Sequence, residues 1–404
     1  MSKFDTEMEN AIRLHIERML KEPDNNITNT SKLELNIVRP LSNHISVKGG
    51  KDFIFSTPMY GWWDLTSACN FRCVHCLYND TEYSSKNDLT HEQAMNLADD
   101  LIDAGIVEIM LTGGEIFMRP DTLDIAERFK ENNISVKLLT NAALINDEHI
   151  ERISNMFNPY IDMLQISLDG ATHETFKKIR QTDSFETIIR NIKKLTDKGV
   201  RVVIGCTVNT INYNEILQTY NLASELGVSD FMAGKMIYHN KSHSSLMVSD
   251  RDLLLLEKEL IENQNTKTNL IMGLFTTIDF MNVDGVREII REDKYQKYLY
   301  KLKIPKLKSC HLNDRIRICS NGDMYLCMEA DSCPEAKLGN YKENSFSEIW
   351  DNRHSNIFYQ PRILDKMACK NCRYNVICNS GCMVRGYKRC GSISAPEIDC
   401  VFAK

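Results

Sequence analysis

From about residue 60 the chain alternates strand-like and helix-like runs six times, and that alternation leaves few folds open. The strand-like runs are Gly61–Thr66, Glu108–Thr112, Ser135–Thr140, Met163–Ser167, Arg201–Val208 and Ser229–Ala233. Helical periodicity fills the gaps at Thr90–Ala104, Asp121–Asn132, Asp147–Met156, Phe185–Lys198 and Tyr213–Leu226. Strands separated by helices imply a parallel sheet covered by helices. Right-handed crossovers curl such a sheet toward a barrel. The expected fold is therefore α/β, a partial (β/α)6 TIM-like barrel over residues 57–244, with functional residues at the C-terminal ends of its strands.

The first of those strand ends runs into Cys69-Asn-Phe-Arg-Cys73-Val-His75-Cys76. The spacing C-x3-C-x2-C puts three thiolates on one loop. Three thiolates can hold three irons of a [4Fe–4S] cube and leave the fourth iron open to a small molecule. A structural zinc site would want a fourth ligand and would be closed.

This loop resembles the signature of the radical S-adenosylmethionine (SAM) enzymes. The resemblance implies that Cys69, Cys73 and Cys76 bind the catalytic cluster, that SAM chelates its open iron, and that a 5′-deoxyadenosyl radical takes hydrogen from an unactivated C–H bond. His75 stands where many members place an aromatic residue against the adenine. Gly113-Gly114-Glu115 after the second strand resembles the family's SAM-amine motif, since paired glycines allow close backbone approach and a glutamate accepts from an ammonium. Asn141 resembles the asparagine of a Thr-Asn-Gly turn in which Ala142 replaces the glycine. Ser167 and Asp169 are candidates for the ribose hydroxyls, with Asp169 also able to cap the next helix. Arg180 resembles an arginine that contacts the SAM carboxylate, a role its fork-shaped guanidinium suits; a surface arginine on a helix is the plain alternative. Cys206 reads as a small core residue.

Ten of the fourteen cysteines fall in the last hundred residues. Cys310-x11-Gly322-x4-Cys327, then Cys369-x2-Cys372-x5-Cys378-x3-Cys382 and Cys400, resembles the SPASM domain, which carries two auxiliary [4Fe–4S] clusters in many peptide-modifying relatives. The resemblance assigns Cys310, Cys327 and Cys382 to the first cluster and Cys369, Cys372, Cys378 and Cys400 to the second. The first lacks a fourth ligand: Cys319 or Cys333 fills the gap, or the iron is open. A zinc ribbon is the competing reading of this region. Residues 306–404 are expected to form this cysteine-rich Fe–S cluster domain, reached through a mostly helical bridge at 245–305.

Residues 1–56 form a preface, with an amphipathic helix expected over Thr6–Lys21 and one or two short strands after it. No apolar run approaches the roughly 18 residues of a membrane helix, and the N-terminus has no apolar signal core. A cytoplasmic protein is expected, in which so many cysteines point to metal rather than disulfides. A formal charge of −6 disfavours charge-driven DNA binding. The basic and aromatic run Lys294–Lys308 is either a docking segment for an acidic leader peptide or a solvated linker.

The resemblance implies a precursor-peptide substrate, a thioether or carbon–carbon crosslink as product, and an electron donor such as flavodoxin or ferredoxin. The short preface leaves room for a separate leader-recognition protein. The alternatives are a sulfatase-maturase-like formation of formylglycine and a haem-pathway or small-cofactor decarboxylase. Relatives of the sulfatase type typically place an aspartate after the cysteine matching Cys327, where this chain has Met328-Glu329.

Overall fold

The computed structural model describes residues 58–76, 83–236, 241–273, 315–360, 369–370 and 381–396. The preface helix, the Lys294–Lys308 run and Cys310, Cys372, Cys378 and Cys400 lie outside the described residues.

All six expected strands form: β1 (Tyr60–Thr66), β2 (Glu108–Gly113), β3 (Ser135–Thr140), β4 (Met163–Ser167), β5 (Val202–Val208) and β6 (Asp230–Lys235). They pair in parallel in chain order. The helices between them are α1 (His91–Asp103), α2 (Thr122–Glu131), α3 (Asp147–Met156), α4 (His173–Arg180), α5 (Phe185–Asp197) and α6 (Ile216–Glu225). Helix α1 shows why they form. Thr90 and Gln93 close a capping box at its start, and Ala94, Leu97, Ala98 and Leu101 make a fully buried stripe at helical spacing. Each such leucine contributes about 2 kcal/mol by leaving water. Helix α4 was not expected from periodicity; Thr172 caps it and Gln181, at φ 56°, ends it in the left-handed conformation.

Two features depart from expectation. The bridge is not wholly helical. After α7 (Asp250–Glu262), residues Asn269–Gly273 form a strand, β7, that pairs in parallel with β6. A five-residue apolar run cannot be told from helix by periodicity. The second feature is that the described strands of the C-terminal region join the same sheet. Its strand β8 (Arg315–Ile318) pairs in parallel with β1, and β9 (Asp323–Tyr325) and β10 (Lys337–Asn340) follow antiparallel, before helices α8 (Phe346–Asp351) and α9 (Met383–Cys390). The result is one open ten-stranded sheet in the order β10-β9-β8-β1-β2-β3-β4-β5-β6-β7.

The two faces of this sheet differ. Trp63, Leu65, Ile109, Leu111, Val136, Leu138, Ile166, Ile204, Cys206, Phe231, Ile316 and Ile318 point outward into the main core under the helices. Cys206 is thus the core residue its position suggested. The alternate positions, among them Trp62, Met110, Leu139, Gln165, Ser167, Thr207 and Met232, lie on the inner face and remain half-buried.

Candidate active site

The three-cysteine loop leaves β1 under tight backbone control. Asp88 accepts from Thr66 Oγ1 at 2.5 Å and from the Ser67 amide at 3.2 Å. The Gly114 and Glu115 amides donate to the carbonyls of Thr66 and Ala68, each at 2.8 Å. A Cβ on Gly113 would collide with Thr66 O, and one on Gly114 with Ala68 O; Gly113 also has φ +137°. The glycines thus admit the backbone of the cysteine loop itself, where the sequence had suggested a ligand. Arg119 braces the same corner from beneath, donating to Leu65 O at 3.2 Å and Leu89 O at 2.7 Å.

Within the loop, the Phe71 amide donates to Cys69 Sγ at 3.4 Å. Arg180 Nη1 donates to Cys73 Sγ at 3.6 Å, and the Tyr83 hydroxyl lies against the Cys76 sulfur. The Val74 amide bonds Ile179 O at 2.9 Å, so the end of α4 clamps the loop. Burial pushes the Cys69 thiol up to about 11, with the charges of Glu115, Cys73 and Cys76 adding to it. Burial also raises Cys73, against the pull of Arg180. Cys69 and Cys73 would therefore ionise more readily beside a cationic centre. Among the described residues no three Cys, His, Asp or Glu side chains converge closely enough to hold a single ion. Clustered soft donors that need a shared positive centre fit a multi-iron cluster.

Glu115 is buried, and burial raises its pKa. It accepts from Thr140 Oγ1 and the Asn141 amide, each at 2.6 Å, and from the Phe117 amide at 3.1 Å. Asn141 reaches on to Asn70 in the cysteine loop through its Nδ2 at 2.8 Å. One network thus stitches together the ends of β1, β2 and β3. Ala142 adopts φ 60°, so it takes up the conformation that favours the glycine it replaces.

Across the sheet, Asp169 is fully buried and does not cap α4. Its Oδ1 accepts from the Thr207 amide at 2.7 Å; its Oδ2 pairs with Arg180 Nη2 at 2.6 Å and lies 3.5 Å from His75 Nε2. Oδ1 is thus taken by a backbone amide, while Oδ2 makes ion-pair contact but has no hydrogen-bond partner among the described residues. Arg180 is buried as well, not a surface arginine. Burial opposes its charge, but Asp169 and Cys73 raise its pKa. Burial pushes His75 down to about 4, so its ring is neutral near pH 7. His75 Nδ1, Arg180 Nε and Asp169 Oδ2 are buried with no hydrogen-bond partner among the described residues. Those three unmet polar atoms beside the cysteine loop suit a polar ligand. Ser167 lies half-buried on the inner face.

The C-terminal region carries a second apolar cluster of Tyr325, Leu326, Ala330, Cys333, Ala336, Phe358, Met383 and Val384, with Cys319, Cys327 and Cys382 packed against it. Cys369 is buried and Cys390 exposed. Sequence reasoning missed Asp88, Arg119 and the junction itself, where Ser67 Oγ meets Ser320 Oγ at 2.7 Å and the Leu89 amide meets Ser320 O at 2.7 Å. Those contacts join positions more than 200 residues apart and leave no local signal.

Comparison with known proteins agrees with this arrangement. The profile of the radical SAM superfamily matches residues 63–223, and that of the SPASM iron–sulfur cluster-binding domain matches residues 310–373. The chain is 26% identical over 349 residues to an AdoMet-dependent heme synthase of Methanosarcina barkeri, covering 84% of this chain and 95% of that protein. It is 29% identical over 230 residues to the subtilosin biosynthesis protein AlbA of Bacillus subtilis, covering 54% of this chain and 50% of AlbA. Its fold superposes on Streptococcus suis SuiB bound to S-adenosylmethionine with a TM-score of 0.68 at 16% identity, over 99% of this chain and 88% of SuiB. The chain therefore carries a radical SAM domain over residues 63–223 and a SPASM iron–sulfur cluster-binding domain over residues 310–373, and these domains imply [4Fe–4S] clusters and S-adenosylmethionine.

Proposed function

We propose that this enzyme modifies a ribosomally made precursor peptide, taking a hydrogen atom from one residue and joining that carbon to another atom as a thioether or carbon–carbon crosslink. The inner face of the sheet carries this reading. Trp62, Met110, Leu139 and Met232 offer half-buried apolar surface there. Three cations described near that face are matched to carboxylates: Lys137 to Glu108 at 2.6 Å, Arg180 to Asp169 at 2.6 Å, and Arg317 to Asp64 at 2.5 Å. Such a surface suits side chains of a peptide.

The resident cofactors, when bound, supply a radical able to take hydrogen from an unactivated C–H bond. The chain's residues hold and orient them. Cys69, Cys73 and Cys76 bind three irons as thiolates, with Arg180 donating to Cys73. Arg180 Nε is the donor for the SAM carboxylate. Glu115, with three acceptor positions used of about four, keeps one for the SAM amine. His75 presents a neutral flat ring to the adenine, and Asn141 and Ser167 supply polar contacts to the nucleoside. Asp169 is reassigned to holding Arg180 and His75 in place. In the C-terminal domain Cys310, Cys327 and Cys382 bind one auxiliary cluster, and Cys369, Cys372, Cys378 and Cys400 another, for three clusters in all. When bound, these clusters would supply acceptors for the electron that the product radical must lose, and a flavodoxin or ferredoxin would serve as the electron donor.

A second reading, a haem-pathway reaction, is favoured by the near full-length match to the Methanosarcina heme synthase. A haem precursor carries several carboxylates and would want unpaired cations, whereas Lys137, Arg180 and Arg317, among the described residues, are already paired. The formylglycine reading fares less well: Glu329, its stand-in base, lies 3.8 Å from Arg385. The test is to incubate the reconstituted enzyme, SAM and reductant with the peptide encoded beside its gene, and separately with an iron porphyrin. Loss of about two hydrogens from the peptide supports the proposal; turnover of the porphyrin alone refutes it.

A further inference from the structure

Four described cysteines gather at one place in the C-terminal domain, and their surroundings divide them. Cys319, Cys327 and Cys382 pack around the apolar cluster of Tyr325, Leu326, Met383 and Val384, and Cys333 is buried within it. The spacing of the C-terminal cysteines leaves the first auxiliary cluster one ligand short.

The register of β8 fixes the direction of one candidate. Trp62 lies opposite Arg317 in the β1–β8 pair, and Arg317 lies opposite Tyr325 in the β8–β9 pair. Trp62, Arg317 and Tyr325 therefore share the inner face. Cys319, two residues after Arg317, falls on the same side, toward Asp64 and the active site. The buried Arg317 guanidinium, held by Asp64 at 2.5 Å and Asp331 at 3.3 Å, also hydrogen-bonds the Cys319 sulfur. Burial pushes the Cys319 thiol up to about 12, and Arg317 is the neighbour that opposes this: a cationic donor fixed on the sulfur is placed to support a metal-bound thiolate.

Cys333 has the opposite surroundings. Its sulfur donates to Glu335 Oε2 at 3.4 Å. A carboxylate at that distance favours the protonated thiol and repels a thiolate. Lys388 pulls the Cys333 thiol down, but burial and Glu335 outweigh it and the thiol stays raised.

We propose that Cys319 supplies the missing thiolate to the auxiliary cluster that Cys327 and Cys382 bind, with Arg317 as its hydrogen-bond donor, and that Cys333 stays a thiol. In that role the Cys319 S–H bond would break and its proton leave with the water or hydroxide displaced from the fourth iron, an Fe–S bond taking its place with no change of oxidation state. The cluster is thereby saturated by cysteine and faces the active site as an electron relay, not as an open iron that binds substrate. This rests on the auxiliary-cluster reading given above.

The test uses the full-length chain with Cys69, Cys73 and Cys76 replaced by alanine, so that only auxiliary iron is counted. After anaerobic reconstitution this parent should hold about eight irons. Stoichiometric zinc in their place would defeat the auxiliary-cluster reading before any further variant is made. With iron present, adding Cys319→Ala should either remove about four irons or yield, on mild oxidation, a three-iron paramagnetic signal that the parent lacks. Cys333→Ala should do neither. Cys319→Ser, nearly isosteric, serves if the alanine variant fails to fold, and should shift the paramagnetic signal while leaving the circular dichroism unchanged. Parental iron and an unchanged signal in the Cys319 variants, or the change appearing in Cys333→Ala instead, would overturn the assignment.

Discussion

Replacing Asp169 by asparagine tests the idea that a buried ion pair, rather than direct ligand contact, is what this residue contributes. The new amide can keep the bond from the Thr207 amide at 2.7 Å. Its other end sets an NH2 donor, or an uncharged oxygen, 2.6 Å from Arg180 Nη2. Arg180 is then a buried cation without its counter-charge, and breaking such a pair from one side costs about 3–5 kcal/mol. Arg180 also donates to Cys73, which keeps partial compensation in the cluster-loaded protein, so about 3 kcal/mol is expected. In a chain of this size that lowers the thermal midpoint by roughly 3–4 °C. The assay is thermal unfolding of anaerobically reconstituted wild type, Asp169→Asn, Arg180→Met and the double variant at one scan rate. Each single change should destabilise, and the double variant should lose less than their sum by about 2 kcal/mol. A midpoint within about 2 °C of wild type, with the two changes simply additive, would refute the argument.

Other outcomes follow from the same geometry. Gly114→Ala drives a Cβ into Ala68 O, so the variant should lose the roughly four irons of the first cluster while keeping the auxiliary iron. His75 has a folded pKa of about 4, below the ordinary value of 6.5, so it disfavours the folded state as pH falls from 6.5 toward 4. Its contribution is fully present above 6.5 and is lost at about 1.4 kcal/mol per pH unit below it; His75→Gln should remove one proton from the acid limb of the stability profile. Ala142→Val puts a β-branched side chain at φ 60° in a fully buried site, and should cost about 2 kcal/mol or more in denaturant unfolding, whereas Ala142→Gly should stay within about 1 kcal/mol of wild type.

What the linear chain determined by itself was the part with short-range repeats. Six strands, five of the helices and the place of the cysteine loop after the first strand were legible because period 2, period 3.6 and C-x3-C-x2-C are local patterns. The residues of Gly113-Gly114-Glu115 were legible too, although their surroundings were not: only the fold brings the Thr66–Ala68 backbone against the glycines and places three donors on Glu115. Tertiary structure alone decided that Asp169 faces Arg180, and that β8 continues the sheet from β1 across some 250 residues of sequence. It also set Arg317 beside Cys319 and Glu335 beside Cys333. The physical reason is common to all of these. A side chain's charge state and partners depend on which distant groups share its desolvated surroundings, and that neighbourhood exists only once the sheet has assembled.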